Sequence, residues 1–167
     1  DAPQVRQHGE AMKYKEYDVL AVTLAAERQT GTRFADLFSQ RIWSRLGAEH
    51  DAYVRCDGWG LAVPSFGICA TLRDMGRWCQ MCVDDGRFNG RQIVPAAYLE
   101  DVQAGVRQTV PTSDWMSGLT YDQPPNTGYR SWFWFPGLIR DSYATSGGLG
   151  QFCYMNWRHR SSVALAR

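Results

Sequence analysis

The sequence lacks the features that would assign it at once to several classes of protein. No apolar run approaches the length that a transmembrane helix needs, so we expect no membrane span. The 18 basic and 17 acidic residues are interspersed and leave a net charge of +1, which predicts neither a nucleic-acid nor an anionic-membrane partner. The first four residues contain no initiator Met and no apolar signal core, which suggests a processed, trimmed or incomplete chain. No feature indicates a compartment.

Cysteine is also sparse. The five cysteines are odd in number and form no regular framework, which argues against a disulfide-stapled secreted scaffold. Cys79 and Cys82 have CxxC spacing, but neither a second pair nor a His at metal-ligand spacing accompanies them. We therefore predict no metal site and no cofactor, and we expect both cysteines to be small apolar residues on a helix. A redox or metal role for this pair is the weaker alternative.

What the sequence does contain is typical of one globular domain, or a piece of a larger one. The 167 residues include 44% hydrophobic and 21% charged residues. Aromatic residues reach 13%, with seven Trp, and such side chains fill cores and line clefts that are apolar with one polar end.

Helical periodicity dominates the first part of the chain, about residues 11–105. A first helix contains Asp18 as N-cap or first-turn acid and ends at Gly31. A second helix covers residues 34–46, and Gly47 ends it. A later helix begins at a capping box. We expect one apolar face of this helix to pack against the core, and that face contains Leu72, Met75, Trp78, Cys79 and Cys82.

Strand composition replaces helical periodicity in the last part, about residues 129–167. The aromatic run 129–135 predicts one strand, and further strands are predicted at 138–144, 151–157 and 161–165. Helices followed by an antiparallel meander predict an α+β fold.

The segment between two of these strands, 145–151, is rich in glycine. Glycine allows another backbone or a ligand to approach closely, so amides at this turn could bind a carbonyl oxygen or a developing oxyanion. A tight turn that binds no ligand explains the same residues, and local sequence leaves both interpretations open.

Several stretches together resemble one family, the serine β-lactamase-like hydrolases. This family includes class C β-lactamases, penicillin-binding proteins and esterases, and the resemblance is strongest to its 6-aminohexanoate-dimer hydrolase branch. The resemblance extends over about residues 12–165. The order and spacing of the motifs are more specific than any single motif. The stretches that carry it are YDVLAV (17–22), IWSRLGAEHDA (42–52), ATLRDMGR (70–77), DGRFNGRQIVP (85–95) and the glycine turn with Gln151.

The resemblance implies a C-terminal portion of a β-lactamase/transpeptidase-like fold, with three catalytic motifs in the whole protein. Ser-x-x-Lys, the nucleophile motif, occurs nowhere in this sequence. Tyr14 is the candidate proton-transfer phenol of the second motif, and Tyr17 is the competing placement. Thr145, Ser146 and Gly147 take the position of the third motif, Lys/His-x-Gly, with Gln151 completing this oxyanion region. The missing basic residue favours a neutral ester or amide substrate.

Two functions from different classes follow from the resemblance. The first is a serine hydrolase whose nucleophile lies on other residues or on a complementary polypeptide that supplies the N-terminal part of the fold. The second is a catalytically inactive domain that serves as a structural or interaction subunit. His50, between two acidic residues, is expected to anchor a loop rather than to take part in catalysis.

Overall fold

The computed structural model describes residues 15–104, 128–135 and 141–166. Helices and two small two-stranded sheets occupy the first of these ranges, and a five-stranded antiparallel sheet occupies the other two, which confirms the predicted α+β arrangement. The α-helices are α1 (Glu16–Thr30), α2 (Phe34–Phe38), α3 (Ser44–Leu46), α4 (Pro64–Gly67), α5 (Leu72–Val83) and α6 (Ala96–Ala104). The strands are β1 (Tyr53–Val54), β2 (Ile68–Cys69), β3 (Arg87–Phe88), β4 (Arg91–Gln92), β5 (Gly128–Arg130), β6 (Phe133–Phe135), β7 (Ser142–Ser146), β8 (Phe152–Asn156) and β9 (Ser161–Leu165).

Glycines end the first two helical segments where the sequence predicts. Gly31 adopts φ +65° after α1, and its N–H donates to the Glu27 carbonyl over 2.8 Å. Gly47 adopts φ +66° after α3. The predicted second helix is helical throughout but contains a π-helical segment, Ser39–Trp43, between α2 and α3. Asp18 lies in the first turn of α1, where a carboxylate is favourable beside the helix N-terminus.

Helix α5 packs across the sheet and forms the core with it. Thr71 caps α5 by accepting the Asp74 N–H over 3.2 Å, as the capping-box spacing predicts. The prediction that Leu72 belongs to the apolar face is wrong, because that side chain is exposed at the first position of the helix. The buried residues of α5 include Cys79, Met81, Cys82 and Val83, and they pack in one cluster with Phe133, Phe135, Tyr143, Cys153 and Met155 of the sheet.

The five-stranded sheet has the order β5-β6-β7-β8-β9, so every neighbouring pair is consecutive in the chain. The prediction of one strand over 129–135 is wrong. The chain reverses at Ser131 and Trp132, which both have positive φ, and β5 pairs back onto β6. Continuous aromatic composition masked this turn, which contains neither Gly nor Asn. The predicted strand at 161–165 is confirmed, while 136–140 lie outside the described residues.

One face of strands β8 and β9 points away from α5 and is apolar. Phe152 pairs with Leu165 and Tyr154 with Val163, so these four side chains lie on the same face. Val163 and Leu165 are each 57% exposed. On this surface, called the outer sheet face below, Phe152 is also exposed and Tyr154 is half-buried.

Candidate active site

Strands β7 and β8 and the glycine turn between them bring four predicted site residues together. Thr145 pairs with Cys153, and Ser146 pairs with Phe152 at the end of the ladder. One step further, the Gly147 N–H donates to the Gln151 carbonyl over 2.9 Å. The chain then makes a single 3₁₀ turn, Gly148–Gly150, in which Gly150 has φ +93°. The turn therefore places Thr145, Ser146, Gly147 and Gln151 around one exposed strand end.

Backbone geometry determines which amide of this turn could bind an oxyanion. Gly147 is extended, with φ −104° and ψ 155°, and its N–H points towards β8. Because successive amides of an extended chain point to opposite sides, the Gly148 N–H points away from β8. Gly148 is exposed and is the first residue of the 3₁₀ turn, so its N–H has no partner within that turn. The amide of Gly148, rather than that of Gly147, is accessible to a ligand.

Gly147 fits closely against the side chain of Gln151. A Cβ atom built on Gly147 would lie 3.2 Å from Gln151 Oε1 and 3.4 Å from its Cβ. At Gly148, by contrast, a Cβ atom would meet nothing within 4 Å. The two neighbouring glycines therefore differ: the first packs closely against Gln151, and the second is open to solvent.

The hairpin turn between β5 and β6 lies at the same end of the sheet. Trp134 pairs with Ala144, so continuing that register places Trp132 level with Ser146. Ser131 and Trp132 have φ values of +49° and +65°, a conformation that costs about 1–3 kcal/mol for such residues. Trp132 is 44% exposed. This strained turn presents an aromatic side chain beside the candidate strand end.

Contacts with α6 support the strained turn. The Tyr98 hydroxyl donates to the Ser131 carbonyl over 3.2 Å. Arg130, the last residue of β5, forms an ion pair with Asp101, in which Nε donates to Oδ2 over 3.3 Å. Helix α6 therefore helps to fix the turn that carries Trp132.

The other predicted site residues are placed differently. Tyr14 lies outside the described residues. Tyr17 is in the first turn of α1, and its side chain is 80% exposed. His50 anchors its loop through its backbone: its N–H donates to Asp74 and its carbonyl accepts from Trp43 Nε1 over 2.9 Å. The sequence analysis did not single out Gly148. Successive N–H groups of an extended strand point to opposite sides, and following this alternation onwards from Gly147 would have indicated Gly148.

The described residues show neither a cluster of three His, Cys, Asp or Glu side chains able to hold a metal ion nor a helix long and apolar enough to cross a membrane. Cys79 and Cys82 are buried on α5, which confirms their prediction as small core residues.

The class of fold is defined by an antiparallel sheet that has a helix packed on one face and a glycine turn directly after its central strand. Solved structures that share it include the following two. A candidate 6-aminohexanoate-dimer hydrolase from Bacillus anthracis matches with a TM-score of 0.79 at 24% identity, over 97% of this chain and 39% of that one. A candidate β-lactamase from Bacteroides dorei DSM 17855 matches with a TM-score of 0.70 at 21% identity, over 99% of this chain and 54% of that one.

Sequence comparison gives the family. Residues 1–166 match the family described as Beta-lactamase, and the chain belongs to that family. It is also 31% identical over 146 residues to the 6-aminohexanoate-dimer hydrolase of Paenarthrobacter ureafaciens, which covers 87% of this chain. The chain spans 36% of the length of that relative. The resemblance inferred from the sequence motifs is confirmed.

Proposed function

We propose that this chain is the C-terminal portion of a serine hydrolase that cleaves an ester or amide by acyl transfer. The observation that carries the proposal is the exposed Gly148 amide, which lies directly after the third-motif position in a chain of the Beta-lactamase family. A curated relative is a 6-aminohexanoate-dimer hydrolase, and hydrolysis of a dimer of an amino acid is cleavage of an amide. Acyl transfer to a serine requires an oxyanion donor of this kind.

The Gly148 N–H is the proposed oxyanion donor. Its neighbour Gly147 cannot supply one, since its N–H is engaged with the Gln151 carbonyl. That same hydrogen bond and the close packing of Gln151 hold the strand end in one conformation, so the Gly148 donor is oriented before substrate binds. A donor that needs no reorganisation stabilises the negative charge that develops on the carbonyl oxygen.

The substrate is proposed to be neutral beside the scissile bond. Thr145 occupies the position of the basic residue in the third motif, so no cation there would pair with a substrate carboxylate. Trp132, level with Ser146, offers an aromatic surface instead. Tyr14 remains the proposed proton-transfer residue.

The nucleophile is proposed to lie on a polypeptide segment that completes the fold. The printed sequence contains no Ser-x-x-Lys, and the outer sheet face offers an apolar surface for additional residues to cover. Phe152 and Leu165 on that face are cross-strand neighbours, so a covering segment would bury them together.

A proline substitution at Gly148 tests the oxyanion assignment. Proline removes the N–H, and the first position of a helical turn accepts its fixed φ. The extended conformation of Gly147 also suits a residue that precedes proline. In the intact protein, Gly148→Pro should lower kcat for a neutral p-nitrophenyl ester by about 10²–10³-fold with little change in KM.

Gly148→Ala is the matched control, since it retains the N–H and its Cβ meets no atom within 4 Å. Nearly full activity of this variant together with a large loss in Gly148→Pro supports the donor. Equal activity of both variants would reject Gly148 as the donor. If the intact wild-type protein neither hydrolyses esters and amides nor reacts with a fluorophosphonate probe, the hydrolase proposal fails and the chain is an inactive structural subunit.

A further inference from the structure

The turn between β5 and β6 is made of residues that its geometry does not favour. Arg130 pairs with Phe133, which leaves Ser131 and Trp132 as a two-residue turn, and both have positive φ. Such turns are usually formed by Asn-Gly or Gly-Gly, since positive φ is unfavourable for a residue with a bulky side chain. A tryptophan here lowers stability in a way that glycine would not, so its side chain needs a separate explanation.

Helix α6 holds the turn in this conformation. Val102 of α6 is fully buried in the main hydrophobic cluster, so the helix is fixed to the core. From the same helix, the Tyr98 hydroxyl donates to the Ser131 carbonyl over 3.2 Å, and Asp101 forms an ion pair with Arg130. Tyr98 and Asp101 are three positions apart and therefore lie on one face of α6. Two contacts from a rigid helix thus hold two consecutive residues of the hairpin.

The accessible amide of Gly148 points to the side of the sheet on which this turn lies. Its N–H points away from β8, and β6 is the neighbour of β7 on that side. Trp132 lies level with Ser146, two residues before Gly148. With strands about 4.8 Å apart and a rise of about 3.3 Å per residue, the Cα atoms of Trp132 and Gly148 are about 8 Å apart. A substrate carbonyl bound at Gly148 would place its neighbouring group within reach of the indole.

We propose, on the basis of the proposed hydrolysis, that Trp132 is a specificity-determining residue and Tyr98 its positioning residue. The indole binds a flat apolar group of the substrate, an aromatic ring above all, next to the scissile carbonyl. The ring is favoured because it loses contact with water and gains an aromatic contact. Because α6 holds the turn before substrate arrives, binding the ring does not have to order this part of the backbone. The substrate class is a neutral ester or amide with an aromatic group beside the bond that is cleaved.

Trp132→Gly in the intact protein separates the side chain from the backbone. Glycine adopts the φ of +65° without strain, so the melting temperature should not fall. Phenyl acetate and methyl benzoate carry the ring on opposite sides of the ester. For at least one of them, KM should rise about 10-fold relative to KM for methyl acetate, with most of the effect in KM rather than kcat. Trp132→Phe is the matched control and should keep most of the preference, because it retains an aromatic surface.

Tyr98→Phe tests the positioning role, since it removes only the hydroxyl that donates to Ser131. The KM for the preferred aromatic ester should rise about 3-fold relative to that for methyl acetate. A merely structural role would lower the melting temperature and leave the ratio of the two KM values unchanged. Tyr53→Phe, at an exposed tyrosine of β1, is the control and should change neither quantity.

Binding measurements distinguish this inference from the hydrolase proposal. Calorimetry compares benzamide and acetanilide, which carry the ring on opposite sides of the amide, with acetamide. A preference for an aromatic amide that disappears in Trp132→Gly supports the role of the indole, even if the intact protein hydrolyses no ester. The same preference in Trp132→Gly as in the wild type overturns the inference, and active ester hydrolysis would then leave the hydrolase proposal standing. The absence of any aromatic preference in the wild type overturns it as well.

Discussion

Asp74 is a buried carboxylate whose partners come from two parts of the chain. From the loop after α3, the backbone N–H groups of Glu49 and His50 donate to it over 2.9 and 3.2 Å. From the start of α5, the Thr71 hydroxyl donates over 2.8 Å and Arg77 Nη1 over 2.8 Å. The single side chain therefore supports the Thr71 cap of α5 and holds the preceding loop against the helix.

The pKa of Asp74 follows from this set of donors. Burial by itself would raise the pKa, but the hydrogen bonds and the Arg77 charge outweigh it and hold the pKa of the Asp74 carboxyl below its usual range. The ionised form is thus stabilised in the folded state. Its contribution to stability is fully present above the unfolded pKa of about 3.9, and it is lost as the pH falls through the lower folded pKa.

Replacing Asp74 with Asn should therefore destabilise the intact protein by about 2–4 kcal/mol near neutral pH. The amide has one oxygen in place of two, so it leaves a buried donor without an acceptor. Urea unfolding at several pH values measures the effect, and the difference from wild type should shrink in acid below the folded pKa. Asp51→Asn, at an exposed position, is the control and should change stability by less than about 0.5 kcal/mol. A difference that stays constant down to the lowest pH would contradict the role of the charge.

At the scale of elements, α5 is held in place by hydrogen bonds just past its C-terminal end as well as by the packing of its buried face. Gly86, just past the helix, has φ +79°, and its N–H donates to the Met81 carbonyl over 2.9 Å. Its own carbonyl accepts N–H groups from Ile93 and Val94 over 2.8 and 3.2 Å. One glycine thus joins the end of α5 to the residues that follow the β3–β4 hairpin.

Two glycine-to-alanine substitutions should act in opposite directions. In Gly86→Ala the new Cβ would lie 2.1 Å from the Val94 carbonyl oxygen at a positive φ, so we expect a loss of about 2–4 kcal/mol. Gly76 lies inside α5, and a Cβ there meets nothing within 4 Å. Gly76→Ala should stabilise by about 0.5–1 kcal/mol, because alanine is the better helix former. Thermal unfolding of both variants measures the effects. A neutral Gly86→Ala would show that the hairpin can move away from the helix end.

At the scale of the whole molecule, the outer sheet face leaves apolar side chains exposed. Helix α5 covers the opposite face of β8 and β9, while Phe152, Val163 and Leu165 remain exposed on this one. Strand β9 is the last of the described sheet, so its outer edge has no neighbouring strand among the described residues. Exposed apolar area beside an unpaired edge favours association.

We therefore predict that the 167-residue chain is stable only with a complementary polypeptide. Expressed alone it should aggregate or melt without cooperativity, and co-expression with a segment that completes the fold should give a soluble, cooperatively melting complex. Val163→Lys should weaken that complex, because the lysine would be buried against an apolar partner. Leu72→Lys, at the exposed first position of α5, serves as the control. Size-exclusion chromatography and calorimetry measure both effects. A monomeric, cooperatively melting chain would contradict the prediction.

The sequence alone determined that helices precede an antiparallel sheet, the glycine helix ends, the Thr71 cap and the family, because these depend on local spacing and on motif order. Only tertiary structure decided the features that depend on contacts between distant residues. The turn at Ser131 and Trp132 forms because β5 pairs with β6, against the local preference of both residues. Asp74 and Glu49 meet through folding across 25 positions of the chain. Cys79 and Cys153 belong to one buried cluster because α5 packs on the sheet, a packing that CxxC spacing could not reveal.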